Sequence, residues 1–339
     1  MKMDAAYRKP LSPWVGRWIL AIAAMIFAMV VVGGATRLTG SGLSITEWQP
    51  LVGAIPPLTD ADWQALFEKY KLSSQFRLQN SGMTLGEFQF IFWWEWAHRF
   101  LGRAIGLVFF VPFAIFAARR MLPPRVWPKL IALFILGGLQ GALGWYMVAS
   151  GLVDRVSVSQ YRLAAHLTFA SFLLAYTCWV YFALNRRHRK PQTPNQWLAL
   201  VLVPLILLQI AAGGFVAGLD AGQGYNTWPL MDGAIIPQGL GAASPWWSNL
   251  FENALTVQFD HRMLAYLAAL LVAVNAVLSK SIAARWLLAA VIAQVALGIT
   301  TLLLQVPLPI ALLHQAGAML VLAAAVWNLS RQTASHPIA

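Results

Sequence analysis

From Trp286 to Ser330 the chain carries no Asp, Glu, Lys or Arg. An uncharged apolar run of that length fits hydrocarbon and not water, and about 20 residues suffice for one crossing. The turn Gln305–Pro309, with Pro307 and Pro309, divides the run into two helices. The same criterion marks six earlier stretches, giving eight expected spans at 18–36, 93–118, 128–149, 162–184, 197–217, 256–279, 286–305 and 310–329. Only 11% of the 339 residues are charged and 59% are hydrophobic, against roughly 25% charged in soluble proteins. A soluble enzyme and a disordered chain are thereby excluded. The expected fold class is an all-α integral membrane protein. Its first stretch runs into Gly33 and Gly34 rather than a small-residue cleavage site, so it reads as a retained helix.

Eight spans put both termini on one face, and the distribution of Lys and Arg selects the cytoplasmic one. Lys2, Arg8, Lys9, Arg17, Arg119, Arg120, Arg125, Lys129, Arg186, Arg187, Arg189, Lys190, Lys280, Arg285 and Arg331 fall in short segments on that side. Among the acids only Asp4 joins them. The net charge of +12 is therefore a topology signal, and no nucleic-acid partner is needed to explain it. Two outer segments are long, 37–92 and 218–255. In the first, Trp63, Leu66, Phe67 and Tyr70 recur at helical spacing, as expected of an amphipathic helix on the membrane surface or of a lid packed on the bundle. The single cysteine, Cys178, leaves no pair for an intramolecular disulfide or a thiol relay, and no thiolate cluster.

The chain is internally duplicated. Val31–Pro57 aligns without a gap on Ala211–Pro237, repeating Gly33, Gly34, Gly42, Trp48, Gly53, Ala54, Ile55 and Pro57 at an offset of 180. Further along, HRFL at His98 matches HRML at His261, QGALG at Gln140 matches QVALG at Gln294, and His166 matches His314. Four spans per half is an even number, so the halves are parallel repeats. The expected organisation is an N-terminal segment 1–17, a four-helix half 18–184 with the long outer loop, a basic linker 185–196, a second half 197–329 and a tail 330–339.

Of six histidines, His188 and His336 fall in the linker and the tail. His98, His166, His261 and His314 sit in even-numbered spans, each about five residues inside its outer end. Ionisable groups at such depth are costly and usually face the interior. Two per half, from two helices, suit one iron porphyrin held from both faces; zinc or copper on four histidines is the main rival, but the repeat offers two pairs rather than one closed cluster. Small residues near each pair would allow close backbone approach, among them Gly137, Gly138, Gly141, Gly144 and Gly298. Arg99, Arg103, Arg162 and Arg262 lie at similar depth, as propionate partners or as snorkelling interface residues. Glu95, three residues before His98, has Gln258 as its counterpart. It could serve as acid, base or cation stabiliser, or form a salt bridge to a nearby Arg.

The segments TGSGLSITEW, EWAHRFLGR, RLAAHL, QFDHRML and LLHQAG make the chain resemble the haem A synthases, from about Trp18 to the eighth span. That resemblance implies oxidation of the ring-D methyl group of haem O to a formyl group, giving haem A for cytochrome oxidase. It implies that His98 and His166 ligate the substrate haem and His261 and His314 a permanent haem b, with Glu95 catalytic. A haem O synthase (a farnesyltransferase) and cytochrome oxidase assembly factors are the implied partners, a bacterial inner membrane the implied location with the haem sites toward the periplasm, and a homo-oligomer is compatible. Some members carry cysteine pairs in the outer loops; this chain resembles the cysteine-free proteobacterial and mitochondrial branch. The alternative is a bis-histidine cytochrome b passing electrons from quinol to a partner, which predicts haems at different depths. A transporter would instead place its polar groups at the midplane.

Overall fold

The computed structural model describes residues 12–49, 52–149, 151, 156–184, 186–188 and 191–337. Lys2, Asp4, Arg8, Lys9, Arg189 and Lys190 of the topology argument lie outside these. Among the described residues eight helices are long and apolar enough to span a membrane: α1 Pro13–Leu38, α2 Leu85–Ala118, α3 Trp127–Ala149, α4 Gln160–Ala183, α5 Pro194–Gly218, α6 Ala254–Ser279, α7 Ile282–Leu303 and α8 Leu308–Thr333. The architecture among the described residues is all-helical apart from one ribbon, in which β1 Arg186–His188 pairs antiparallel with β2 Ala334–Pro337. This ribbon ties the linker between the halves to the tail, so both lie at the same end of the bundle.

Local chemistry sets the helix ends. Thr84 and Glu87 form a capping box at α2, and Thr193 and Gln196 do so at α5, where Pro194 also suits the first turn. Asn253 accepts from the backbone N–H groups of Leu255 and Thr256 at α6. Gly40, at φ +66°, turns the chain away just beyond α1. The largest departure from expectation is α2, which begins at Leu85 rather than 93. Its extra two turns protrude from the bundle and carry a second small core. There the outer helix Asp60–Lys71 lays Trp63, Phe67 and Tyr70 against Phe88, Ile91 and Phe92. Of the two readings of this amphipathic segment, the structure shows a lid packed on α2. Tyr70 fastens it, donating to Gln75 Oε1 and accepting from Asn80, and burial pushes its hydroxyl pKa up.

Within the first half α1 packs on α2 and α4, and α3 on α4. In the second, α5 packs on α6 and α8, and α7 on α8. Across the halves α4 meets α5, α8 meets α1, and α4 meets α8. Exchanging the halves maps this pattern onto itself, the signature of the duplication. The main apolar core, with Ile19, Ile22, Leu130, Leu202, Leu287 and Leu322, fills the end of the bundle nearest the ribbon. In lipid such leucines gain little by leaving hydrocarbon, so close packing and polar ties hold the helices together. Asn275 of α6 donates to Asn195 of α5 at 3.0 Å and accepts from Asn328 of α8 at 2.9 Å. The histidine level lies beyond this core, toward the lid.

Candidate haem sites

Each half holds its two imidazoles on helices that do not pack extensively on one another: α2 and α4 in the first, α6 and α8 in the second. The helices between them carry glycine where the ring lies. A Cβ added to Gly33 of α1 would stand 2.9 Å from Cε1 of His98, and one on Gly144 of α3 2.9 Å from Cε1 of His166. In the second half Gly213 of α5 meets His261 at 3.1 Å and Gly298 of α7 meets His314 at 2.9 Å. Any side chain would push those rings aside. Of the other glycines singled out in the sequence, Gly137, Gly138 and Gly141 of α3 face open space and make no close approach.

His98 and His166 are near enough to interact electrostatically, as are His261 and His314. Among the described residues no three His, Cys, Asp or Glu side chains gather closely enough to hold a metal ion. Four histidines around one zinc or copper are therefore not what the fold builds. Two neutral imidazoles on helices held apart, beside glycine-lined walls, fit a flat macrocycle whose iron takes one ligand from each face. Unpartnered buried atoms mark the same places: Nδ1 of His98 and the side-chain oxygens of Gln140, Gln209 and Gln294.

Glu95 is 2% exposed and fully engaged. Ser44 Oγ and the Ile45 N–H donate to its Oε2 at 2.7 and 2.8 Å, and Arg99 donates to Oε1 through Nη2 at 2.6 Å and Nε at 3.1 Å. The salt bridge weighed from the sequence thus exists, on the face next to His98. Its counterpart Gln258, also 2% exposed, points its Nε2 at the carbonyls of Ala221 and Gly224 and accepts from Arg262 at 2.7 Å. Both positions pin the loop that follows the first helix of their half.

The four arginines are tied to main-chain carbonyls. Arg99 donates to those of Ile45 and Glu47, and Arg262 to those of Tyr225 and Thr227, again 180 residues on. Arg103 reaches the carbonyl of Gln49. Arg162 reaches that of Tyr146 and stacks 3.7 Å from its ring centroid. Three of them, Arg99, Arg103 and Arg162, belong to the first half and only Arg262 to the second.

The glutamines carry no role in the sequence reading, although Gln140 and Gln294 stand in its repeat. Gln140 Nε2 lies 3.2 Å from His166 Nδ1 and donates to that residue's carbonyl at 3.1 Å. Gln209 does the same to His261 at 3.1 and 3.0 Å, and Gln294 to His314 at 3.2 and 2.8 Å. The signal that could have found them is Q-x-x-x-G, since each stands four residues before the glycine under its histidine. At the fourth such place, four before Gly33, stands Met29.

Fold and site together define a polytopic membrane bundle with a duplicated pair of buried histidines in each half. The sequence matches the COX15-CtaA family, described as cytochrome oxidase assembly protein, over residues 16–326. The chain belongs to that family. It is 52% identical over 319 residues to the heme A synthase of Parvibaculum lavamentivorans, covering 93% of both chains. It is 54% identical over 334 residues to that of Azorhizobium caulinodans, covering 96% of this chain and 95% of the relative. Against the heme A synthase of Nitrosomonas eutropha the figure is 49% over 324 residues, covering 91% of each.

Proposed function

We propose that this protein is the enzyme its relatives are named for, oxidising the ring-D methyl group of haem O to the formyl group of haem A for cytochrome oxidase. The observation that carries the assignment of halves is the exchange of Glu95 for Gln258 at otherwise equivalent, equally buried places. The N-terminal half, 18–184, takes the substrate haem between His98 and His166. The C-terminal half, 197–329, keeps haem b between His261 and His314. Arg99, Arg103, Arg162 and Arg262 receive the propionates at the loop end, where guanidiniums match carboxylates.

An unactivated methyl group is beyond any side chain here, so a haem supplies the one-electron chemistry. Each round joins the oxygen of a water to the methyl carbon and releases two protons, and its two electrons must leave for an electron acceptor outside this chain. After the second round, loss of water leaves the aldehyde. Glu95, in its salt bridge with Arg99, stabilises positive charge developing at the methyl carbon or holds the attacking water. Both termini, the basic linker and the ribbon lie in the cytoplasm, and the slots open toward the periplasm of a bacterial inner membrane, by the distribution of Lys and Arg. Substrate then arrives from a haem O synthase, product passes to cytochrome oxidase assembly factors, and a homo-oligomer is compatible with the fold.

The test is chromatographic identification of the haems extracted from purified protein. Haem b together with haem O or haem A is expected; haem b alone in both slots would overturn the proposal in favour of an electron-passing cytochrome.

A further inference from the structure

The halves differ in how their second and third helices meet. In the second half α6 and α7 pack against one another, whereas α2 and α3 touch sparsely and are the least buried of the eight spans. Side-chain size accounts for the gap. Phe134 of α3 meets the rings of Phe109 and Phe110 of α2, each at 6.1 Å between centroids, and Trp127 meets Phe113 at 5.3 Å. At the offsets of the repeat these five aromatics give way to Leu288, Val272, Ala273, Ser281 and Ala276. Small residues at a contact let helices approach closely, so the rings prop α2 and α3 apart.

Between these rings and the histidine level the gap is lined by glycine. Gly138 and Gly141 follow Phe134 at i+4 and i+7, and Gly106 precedes Phe109 by three, so they lie on the faces that the rings hold apart. A Cβ added to any of them, or to Gly137, would meet nothing within 4 Å. From Phe134 the helix climbs about 15 Å, at 1.5 Å per residue, to Gly144 under His166. The gap is therefore continuous with the first slot, where Nδ1 of His98 is buried without a partner. In the second half the four glycines are replaced by Ala269, Val291, Ile292 and Val295, and Val291 is buried. No such gap exists there.

We propose that the window between α2 and α3 receives the farnesyl chain of haem O, the substituent that haem b lacks, and that Gly106, Gly137, Gly138 and Gly141 set which haem each half accepts. Propionates and isoprenoid chain leave the macrocycle at opposite edges. With the propionates at the loop end, the chain points along the helices toward the glycines, into apolar space long enough to hold it. The bulkier side chains of the second half leave room for a tail-less haem alone. This rests on the haem reading above and deepens it: the substrate is told from the resident haem by its chain and not by its iron ligands.

The test titrates purified full-length protein that retains its C-terminal haem with haem O and, separately, with haem b, following the Soret band. Gly138→Ile and Gly141→Val together give α3 the side chains of the second half. They are expected to weaken haem O binding by about 10- to 100-fold, the usual cost of overfilling a matched site, and to leave haem b binding unchanged. The spectrum of the C-terminal haem reports whether the bundle still folds. Should the double variant fail to fold, Gly106→Ala on the opposite wall decides, with a smaller loss of the same selectivity expected. Leu139→Phe adds bulk on the outer face of α3, where Leu139 is exposed, and is expected to change neither affinity. Undiminished haem O binding in the glycine variants, an equal loss of both haems, or the same loss in Leu139→Phe would overturn the inference. An unaltered protein that binds neither haem at its N-terminal slot would instead overturn the functional reading beneath it.

Discussion

The two halves share helix order, glycine cradles, histidine pairs and an arginine bound to the same two loop carbonyls, yet they part company at three places. Where the first half has Glu95, Met29 and a lid, the second has Gln258, Gln209 and a loop without a comparable helix. Glu95 stands one turn before His98, Met29 one turn from the glycine that meets its ring, and the lid packs on the outer turns of the same helix, α2. Duplication therefore gives both halves the same frame, and a few side chains distinguish one from the other.

The comparison breaks first at the ligands. His261→Ala or His314→Ala should abolish the low-spin haem b absorption spectrum outright; an unchanged spectrum would reverse the assignment of halves. Next comes Glu95→Gln, which gives the first half the second half's side chain. Haem content should persist while conversion falls by about 10²- to 10⁴-fold, the usual worth of a positioned acid or base, and a normal haem A yield on chromatography would remove Glu95 from the chemistry. Phe67→Ala tests the lid, where deleting a buried aromatic costs about 3–5 kcal/mol. Hydrogen exchange should rise across residues 60–79 and leave α5–α8 untouched. The smallest effect belongs to Tyr70→Phe, which strips the lid of two side-chain hydrogen bonds at about 1–3 kcal/mol. Exchange there should rise only modestly, with haem spectra unaltered.

Much of this was legible in the sequence because its causes are local or repeated. Apolar stretches about 20 residues long fix the spans, and the offset of 180 shows the repeat. Histidines at matched places in even-numbered helices announce the pairs. What stayed hidden depends on partners that side-chain identity does not reveal. Arg99 and Arg262 bind main-chain carbonyls, which every residue possesses, so their loop contacts leave no trace in composition. The early start of α2 was missed because Leu85–Phe92 includes Glu87, whose charge ends an apolar window although it serves as a cap. Gly144 and Gly298 could be told from Gly137, Gly138 and Gly141 only once the histidine beneath them was known.

Arg37 closes the seam between the repeats. At the end of α1 its Nη2 donates to the carbonyl of Ala217 at 2.9 Å and to Asp220 Oδ1 at 3.0 Å. Ala217 is the residue that answers to Arg37 in the other copy, so the contact lies on the pseudo-twofold axis. Two identical chains related by that axis would bring two guanidiniums face to face, and like charges at such range repel. Covalent fusion lifts this restriction by letting one copy keep the cation and the other a methyl group. A single polypeptide can thus fasten its two halves with a bond that is asymmetric between them.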